Sequence, residues 1–232
     1  LSLLPAAGVL IHLIYQSIGK SSEKGNNLIM EQIHEAGGGV PKRMAPIILI
    51  TTVITHLFGG SAGREGTAVQ IGGSIASMFG GWFKLKGLDM RMVLTAGVAA
   101  GFGAVFGTPL TGAIFAMEVL TIGMIQYDAL LPALIAAIVG DMTVAAWHVT
   151  HVHYHIATLP AYAPLMVSNL FHFDLLLLIK VIAASAAFGL ASYLFAGMVH
   201  EIKTICLKIF KYKWMIPVFG GLLIIGLYFL NG

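Results

Sequence analysis

Charged residues and cysteine are both scarce in this sequence of 232 residues. Charged residues make up 10% of the chain, whereas typical soluble domains contain about 25%. Hydrophobic residues make up 58%, and the mean hydropathy is +0.89. So few charges could not cover the apolar surface of a soluble fold. The single cysteine, Cys206, excludes an internal disulfide and a cysteine-based metal cluster, and the net charge of +3 gives no indication of nucleic-acid binding.

Long stretches of the chain contain no Asp, Glu, Lys or Arg. These stretches are 66–83, 92–117, 181–199 and 214–232. Because a helix needs about 20 such residues to cross a bilayer, the sequence predicts an all-α, multi-pass membrane protein. The chain begins inside an apolar stretch, and this abrupt start suggests a fragment. Hydrophobic runs and their breaks predict helices at about 3–18, 28–35, 44–58, 66–81, 90–106, 109–122, 127–147, 171–209 and 213–230.

Lysine and arginine are distributed unevenly along the chain. None occurs between Arg91 and Lys180, whereas positions 203–213 contain four lysines. Positively charged residues favour the cytoplasmic ends of spans. The lysine cluster is therefore predicted to be cytoplasmic, and the polar segment 148–170 to be external.

The run Gly63-Arg64-Glu65-Gly66-Thr67 lies between two apolar stretches. A helix that begins at about Gly66 would present free N–H groups and the positive end of its dipole, which together bind anions. Glu65 would lie at the mouth of this site, which its carboxylate could occupy and, once protonated, leave. One side chain would thus link anion occupancy to proton binding. The alternative is that Arg64 and Glu65 form an interfacial ion pair that caps the helix.

Other patterns in the sequence predict structure more readily than chemistry. No lysine follows Gly66 and no soluble strand precedes it, so the glycine run is not a nucleotide-binding loop. The spacings 97-xxx-101 and 103-xxx-107 between glycines predict close helix packing. Histidines at 148, 151, 153 and 155 could bind zinc or copper. Since no cysteine or carboxylate is expected nearby, a solvated external loop is favoured and no metal site is predicted.

Two longer motifs resemble the CLC family of anion transporters. The run GGSAGREGTAVQIGG at 59–73 is similar to the segment around the gating glutamate of that family. A second run, AAGFGAVFGTPLTGAIFAME at 99–118, is also similar to the family, and both occur in its order and spacing. The resemblance implies the CLC-type fold, in which short, broken and tilted helices form two inverted halves and two pores form a dimer. Residues 1–232 would be a partial CLC transmembrane domain, about the third to the eleventh helix, with the remaining helices absent.

The resemblance implies roles for the residues of the glycine run. Glu65 becomes the external gating glutamate, which takes up the proton. Gly63 and Arg64 belong to the anion site around it, and Gly66 and Thr67 become the backbone N–H donors. No cofactor and no enzymatic activity are implied. The expected partners are fluoride or chloride, protons, membrane lipid and a second copy of the chain.

Three departures from the chloride pattern of the family favour fluoride. Asn26, with Asn27 as the neighbouring possibility, replaces the anion-coordinating serine, and an amide offers two N–H donors to a small, strongly hydrated ion. Asn26 could instead cap the helix that follows it. Thr67 stands where most chloride members have proline. Val119 follows Glu118 where proton-coupled chloride exchangers carry a second glutamate.

The sequence therefore predicts a fluoride/proton antiporter in the cell (inner) membrane. The alternatives are a chloride channel or chloride/proton exchanger of the same family, or a fragment that does not transport. The relative rates of fluoride and chloride transport would separate the fluoride antiporter from the chloride transporter. A measurable anion flux would exclude the fragment that does not transport.

Overall fold

The computed structural model describes residues 1–34, 39–119, 127–151 and 175–230, and every regular element in these ranges is helical. The α-helices are α1 (Leu4–Ile14), α2 (Asn26–His34), α3 (Met44–Leu57), α4 (Arg64–Trp82), α5 (Gly87–Phe106), α6 (Pro109–Val119), α7 (Leu130–Ala146), α8 (Leu175–Ile209) and α9 (Met215–Leu230). A π-helical turn (Tyr15–Gly19) and a 3₁₀ turn (Lys20–Lys24) connect α1 to α2, and a second 3₁₀ turn (Tyr127–Ala129) precedes α7. The prediction of an all-α chain is confirmed.

Most predicted helix boundaries agree with the structure within three residues. The first helix is shorter than predicted, because its regular part ends at Ile14 and the chain then changes to π and 3₁₀ geometry. α4 begins two residues earlier than predicted, at Arg64, and α5 begins three residues earlier, at Gly87. The predicted ends at 35 and 122 and the predicted start at 171 lie outside the described residues.

The chain divides into two units. The first comprises residues 1–151 and 214–232, and the second comprises residues 152–213, of which the structure describes 175–213, including α8. Among the described helices, Gly87–Phe106, Tyr127–Ala146 and Leu176–Ile209 are long and apolar enough to cross a membrane. Met44–Leu57 and Met215–Leu230 are shorter apolar helices.

Helix α5 forms the centre of the first unit and packs against α4, α6 and α7. Its side chains Leu94 and Val98 are fully buried. Glycines allow the neighbouring backbones to approach closely: a Cβ on Gly97 would collide with α4, and a Cβ on Gly112 of α6 would lie 2.8 Å from the carbonyl oxygen of Ala99. The helix contacts predicted from the 97-xxx-101 spacing are therefore present.

The second glycine spacing was predicted wrongly in one respect. Gly103 packs on α7, where its Cβ would lie 3.1 Å from the Cβ of Ala137. Gly107, however, is not on a helix face, because it follows the last residue of α5 in a left-handed conformation (φ 67°). The Thr108-Pro109 pair that follows explains the break, since proline disfavours helical geometry in the residue before it.

Helix α4 is anchored to the segment that leads into α3. The Ser77 hydroxyl accepts a hydrogen bond from the Val40 N–H (2.7 Å) and donates one to the Val40 carbonyl (3.0 Å). The Ser74 hydroxyl accepts from the Ala45 N–H (3.3 Å) and donates to the Pro41 carbonyl (3.0 Å). These bonds satisfy backbone groups that would otherwise be costly to bury.

Candidate functional site

The site is built around the N-terminus of α4. Gly63 is the N-cap residue, with an extended backbone (ψ 136°), and Arg64 is the first residue of the helix. The N–H groups of the first turn, those of Arg64, Glu65 and Gly66, have no acceptor inside the helix. Because the helix begins at Arg64 and not at about Gly66, Glu65 lies within the first turn, close to the positive end of the dipole.

The carboxylate of Glu65 turns back towards the start of its own helix. A Cβ on Gly63 would lie 2.9 Å from Glu65 Oε2, so a side chain at position 63 would displace the carboxylate. Arg64 and Glu65, both within the described part of the chain, form no ion pair with each other, unlike Lys24 and Glu31, whose charged atoms lie 2.7 Å apart. The structure therefore does not contain the alternative arrangement, in which Arg64 and Glu65 form an ion pair that caps the helix.

The N-terminus of α2 lies beside that of α4. Gly25 has a left-handed backbone (φ 59°), and α2 begins at Asn26. A Cβ on Gly66 would lie 3.2 Å from Asn26 Nδ2, so the amide of Asn26 borders the open side of this glycine. The structure thus brings together two residues that are 40 positions apart in the sequence. Asn26 is the first helical residue and not the residue before the helix, and Asn27 is exposed in the same turn.

The side chain of Thr67 is held within the protein. Its hydroxyl donates to the Gly63 carbonyl (3.0 Å) and lies 3.3 Å from the hydroxyl of Thr52 on α3. The contact with Thr52 links the start of α4 to α3. The predicted role of Thr67 as an anion donor concerns its backbone N–H and stays a prediction.

Gln70 is a residue of this region to which sequence reasoning assigned no role. It lies one turn after Gly66, and residues four apart share a helix face. Its amide nitrogen lies within van der Waals distance of the positions that Cβ atoms on Gly25 and on Gly66 would take. The spacing of four residues within α4 could have indicated the approach to Gly66. The approach to Gly25 depends on how α2 packs against α4.

The histidine segment differs from the prediction at one point. A carboxylate does lie near it, because Asp141 Oδ1 of α7 is 3.9 Å from His151 Nε2. The histidines at 153 and 155 lie outside the described residues. Within the part of the chain that the structure describes, no group of three potential metal ligands occurs.

Comparison with known proteins places these features in a family. The family model described as voltage-gated chloride channel matches residues 7–231. A chloride/fluoride channel protein of Pseudomonas syringae pathovar tomato is 45% identical over 222 residues, which are 96% of this chain and 47% of that relative. The crystal structure of a CLC-type fluoride/proton antiporter superimposes with a TM-score of 0.87 at 32% identity, covering 98% of this chain and 55% of the other.

The chain belongs to the CLC family of voltage-gated chloride channels, and it has the CLC fold. It is accordingly a multi-pass membrane protein of a transporter family and not an enzyme. The chain spans about half the length of these two relatives, namely 47% of the Pseudomonas protein and 55% of the antiporter chain.

Proposed function

We propose that this chain is part of an antiporter that exchanges fluoride for protons across the cell membrane. The observation that carries the proposal is the meeting of two helix N-termini, one with a carboxylate and the other with an amide. Glu65 lies in the first turn of α4, and the Asn26 amide borders Gly66 of the same turn. The names of the two relatives, a chloride/fluoride channel and a fluoride/proton antiporter, support the same activity.

The arrangement can couple the two ions through one side chain. An ionised Glu65 carboxylate competes with an anion for the N–H groups and the dipole at the start of α4. Protonation removes its charge, so that the anion can take its place. The Glu65 side chain is exposed, and it can therefore exchange protons without disrupting the core.

The chain would act as one part of a larger pore. It corresponds to a partial transmembrane domain, about the third to the eleventh helix of the family, and we propose that the working unit is a homodimer surrounded by lipid. Several large apolar side chains of α7 are exposed on the surface of the first unit, which fits contact with lipid, with a second copy or with the rest of the pore. They include Leu131, Ile135, Ile138 and Met142.

A chloride transporter of the same family is the second candidate, because the name of the Pseudomonas relative includes chloride. Efflux from proteoliposomes, followed with fluoride- and chloride-selective electrodes, separates the two. We expect the natural protein that carries this chain to release fluoride at least about tenfold faster than chloride, a difference of about 1.4 kcal/mol in barrier height. Equal rates would favour the chloride candidate. The same measurement on residues 1–232 alone tests whether this part transports.

The Asn26 amide is expected to contribute to the preference for fluoride over chloride. Replacing it by serine leaves one hydroxyl donor in place of two amide N–H donors at the start of α2. We expect Asn26→Ser to lower the fluoride/chloride rate ratio about tenfold, since a hydrogen bond to a charged group contributes about 1.5–3 kcal/mol. Asn27, the neighbouring candidate, is exposed like Asn26, and the same substitution there shows which of the two amides sets the ratio. A ratio unchanged in Asn26→Ser would remove this residue from the site.

A further inference from the structure

The side chain of Gln70 occupies the junction between the two helix N-termini. Its Nε2 lies 3.4 Å from the position that a Cβ on Gly25 would take, and its Oε1 lies 3.6 Å from that position. The same Nε2 lies 3.6 Å from the position of a Cβ on Gly66. Gln70 is half-buried.

Two amide groups thus border the same glycine. The position that a Cβ on Gly66 would take lies 3.2 Å from Asn26 Nδ2 and 3.6 Å from Gln70 Nε2. A Cβ at position 66 would press against the Asn26 amide and would be in ordinary contact with the Gln70 amide, so glycine keeps this point free of its own side chain. Gly25, just before α2, likewise has no side chain to approach Gln70. Its backbone is left-handed, a conformation that favours glycine over other residues.

We infer that Gln70 is a second selectivity-determining amide of the anion site, beside Asn26. The inference rests on the proposed function and extends it to a residue on a different helix. Each amide supplies two N–H donors, so an ion at the junction would receive side-chain donors from both sides as well as backbone N–H groups. Fluoride is smaller and more strongly hydrated than chloride, and each added donor therefore favours fluoride over chloride.

The test replaces Gln70 by methionine, which keeps the length of the side chain and removes its donors. Gln16→Met is the matched control, because Gln16 is exposed on the π-helical turn after α1. Fluoride binding is measured by calorimetry in detergent, and the fluoride/chloride rate ratio is measured in proteoliposomes of the natural protein. Gln70→Met is expected to weaken fluoride binding and to lower the rate ratio by about tenfold each, while Gln16→Met retains both.

A second variant keeps the inference testable if Gln70→Met does not fold. Gln70→Glu has the same shape but presents an acceptor in place of the donors, and it is expected to abolish fluoride binding. If either folded variant binds fluoride as tightly as the wild type, the inference is overturned and the proposed function is unaffected. If the wild type binds no fluoride, both are overturned. If the wild type binds fluoride without moving it, the proposed function fails, while the binding comparison still decides the role of Gln70.

Discussion

Replacing Glu65 by glutamine is expected to abolish proton movement coupled to fluoride. Glutamine has nearly the shape of the protonated carboxylic acid, but it neither ionises nor takes up a proton. It would therefore keep the helix start accessible to the anion and break the link between the two ions. We expect fluoride to move passively in Glu65→Gln, with uphill proton transport reduced at least about a hundredfold, equivalent to roughly 2.7 kcal/mol. A pH-sensitive dye inside fluoride-loaded proteoliposomes gives this measurement.

The control is the same substitution at another exposed carboxylate. Glu201 lies on α8, and Glu201→Gln should retain coupled transport. Proton coupling that persists in Glu65→Gln would exclude Glu65 as the gating group. Loss of coupling in both variants would show that the effect is not specific to the N-terminus of α4.

Replacing Gly72 by valine is expected to have the largest effect on stability. A Cβ at this position would collide with the carbonyl oxygen of Gly97, because α4 and α5 touch through their backbones there. Neither backbone can yield without separating the two helices. We expect the free energy of unfolding to fall by about 3 kcal/mol or more. For a chain of this size, that corresponds to a decrease in Tm of roughly 6–12 °C.

Gly81 provides a matched control on the same helix. Apart from Gly81, its chain neighbours and the adjacent backbone of α4, no described atom lies within 4 Å of the position that a Cβ on Gly81 would occupy. Gly81→Val should therefore leave the Tm in detergent within about 2 °C of the wild type, since the change in helix propensity is only a few tenths of a kcal/mol. Similar Tm values for the Gly72 and Gly81 variants would contradict the close contact between α4 and α5.

Most of the fold could be predicted from the sequence because apolar runs and helix breaks are local signals. The Thr108-Pro109 pair marks the end of α5, and the uncharged runs mark the spans. The start of α4 was less predictable, because two adjacent charged residues, Arg64 and Glu65, are typical of a loop between apolar helices. Arginine is nevertheless a good helix former, and glutamate is favoured in a first turn, so the helix includes both.

The site could be predicted only in part, for a different physical reason. Glu65 and Asn26 carry chemistry that sequence motifs indicate. Their arrangement depends on packing between helices, such as that of Ile29 on α2, whose Cδ1 lies 3.0 Å from the Cβ position of Gly73 on α4. Periodicity within one helix does not specify its neighbour, and the approach of Gln70 to Gly25, just before α2, was therefore not foreseen. The same is true of the Asp141–His151 pair.

The hydroxyl groups of Ser74 and Ser77 have a consequence for the speed of gating. They hold α4 to the backbone of residues 40–45 through several hydrogen bonds, and a sliding movement of α4 would break these bonds together. Rotation of one side chain about its own bonds breaks none of them. Such rotations take picoseconds to nanoseconds, whereas helix displacements take microseconds to milliseconds. A gate at Glu65 that works by side-chain rotation would therefore move far faster than the helix that carries it.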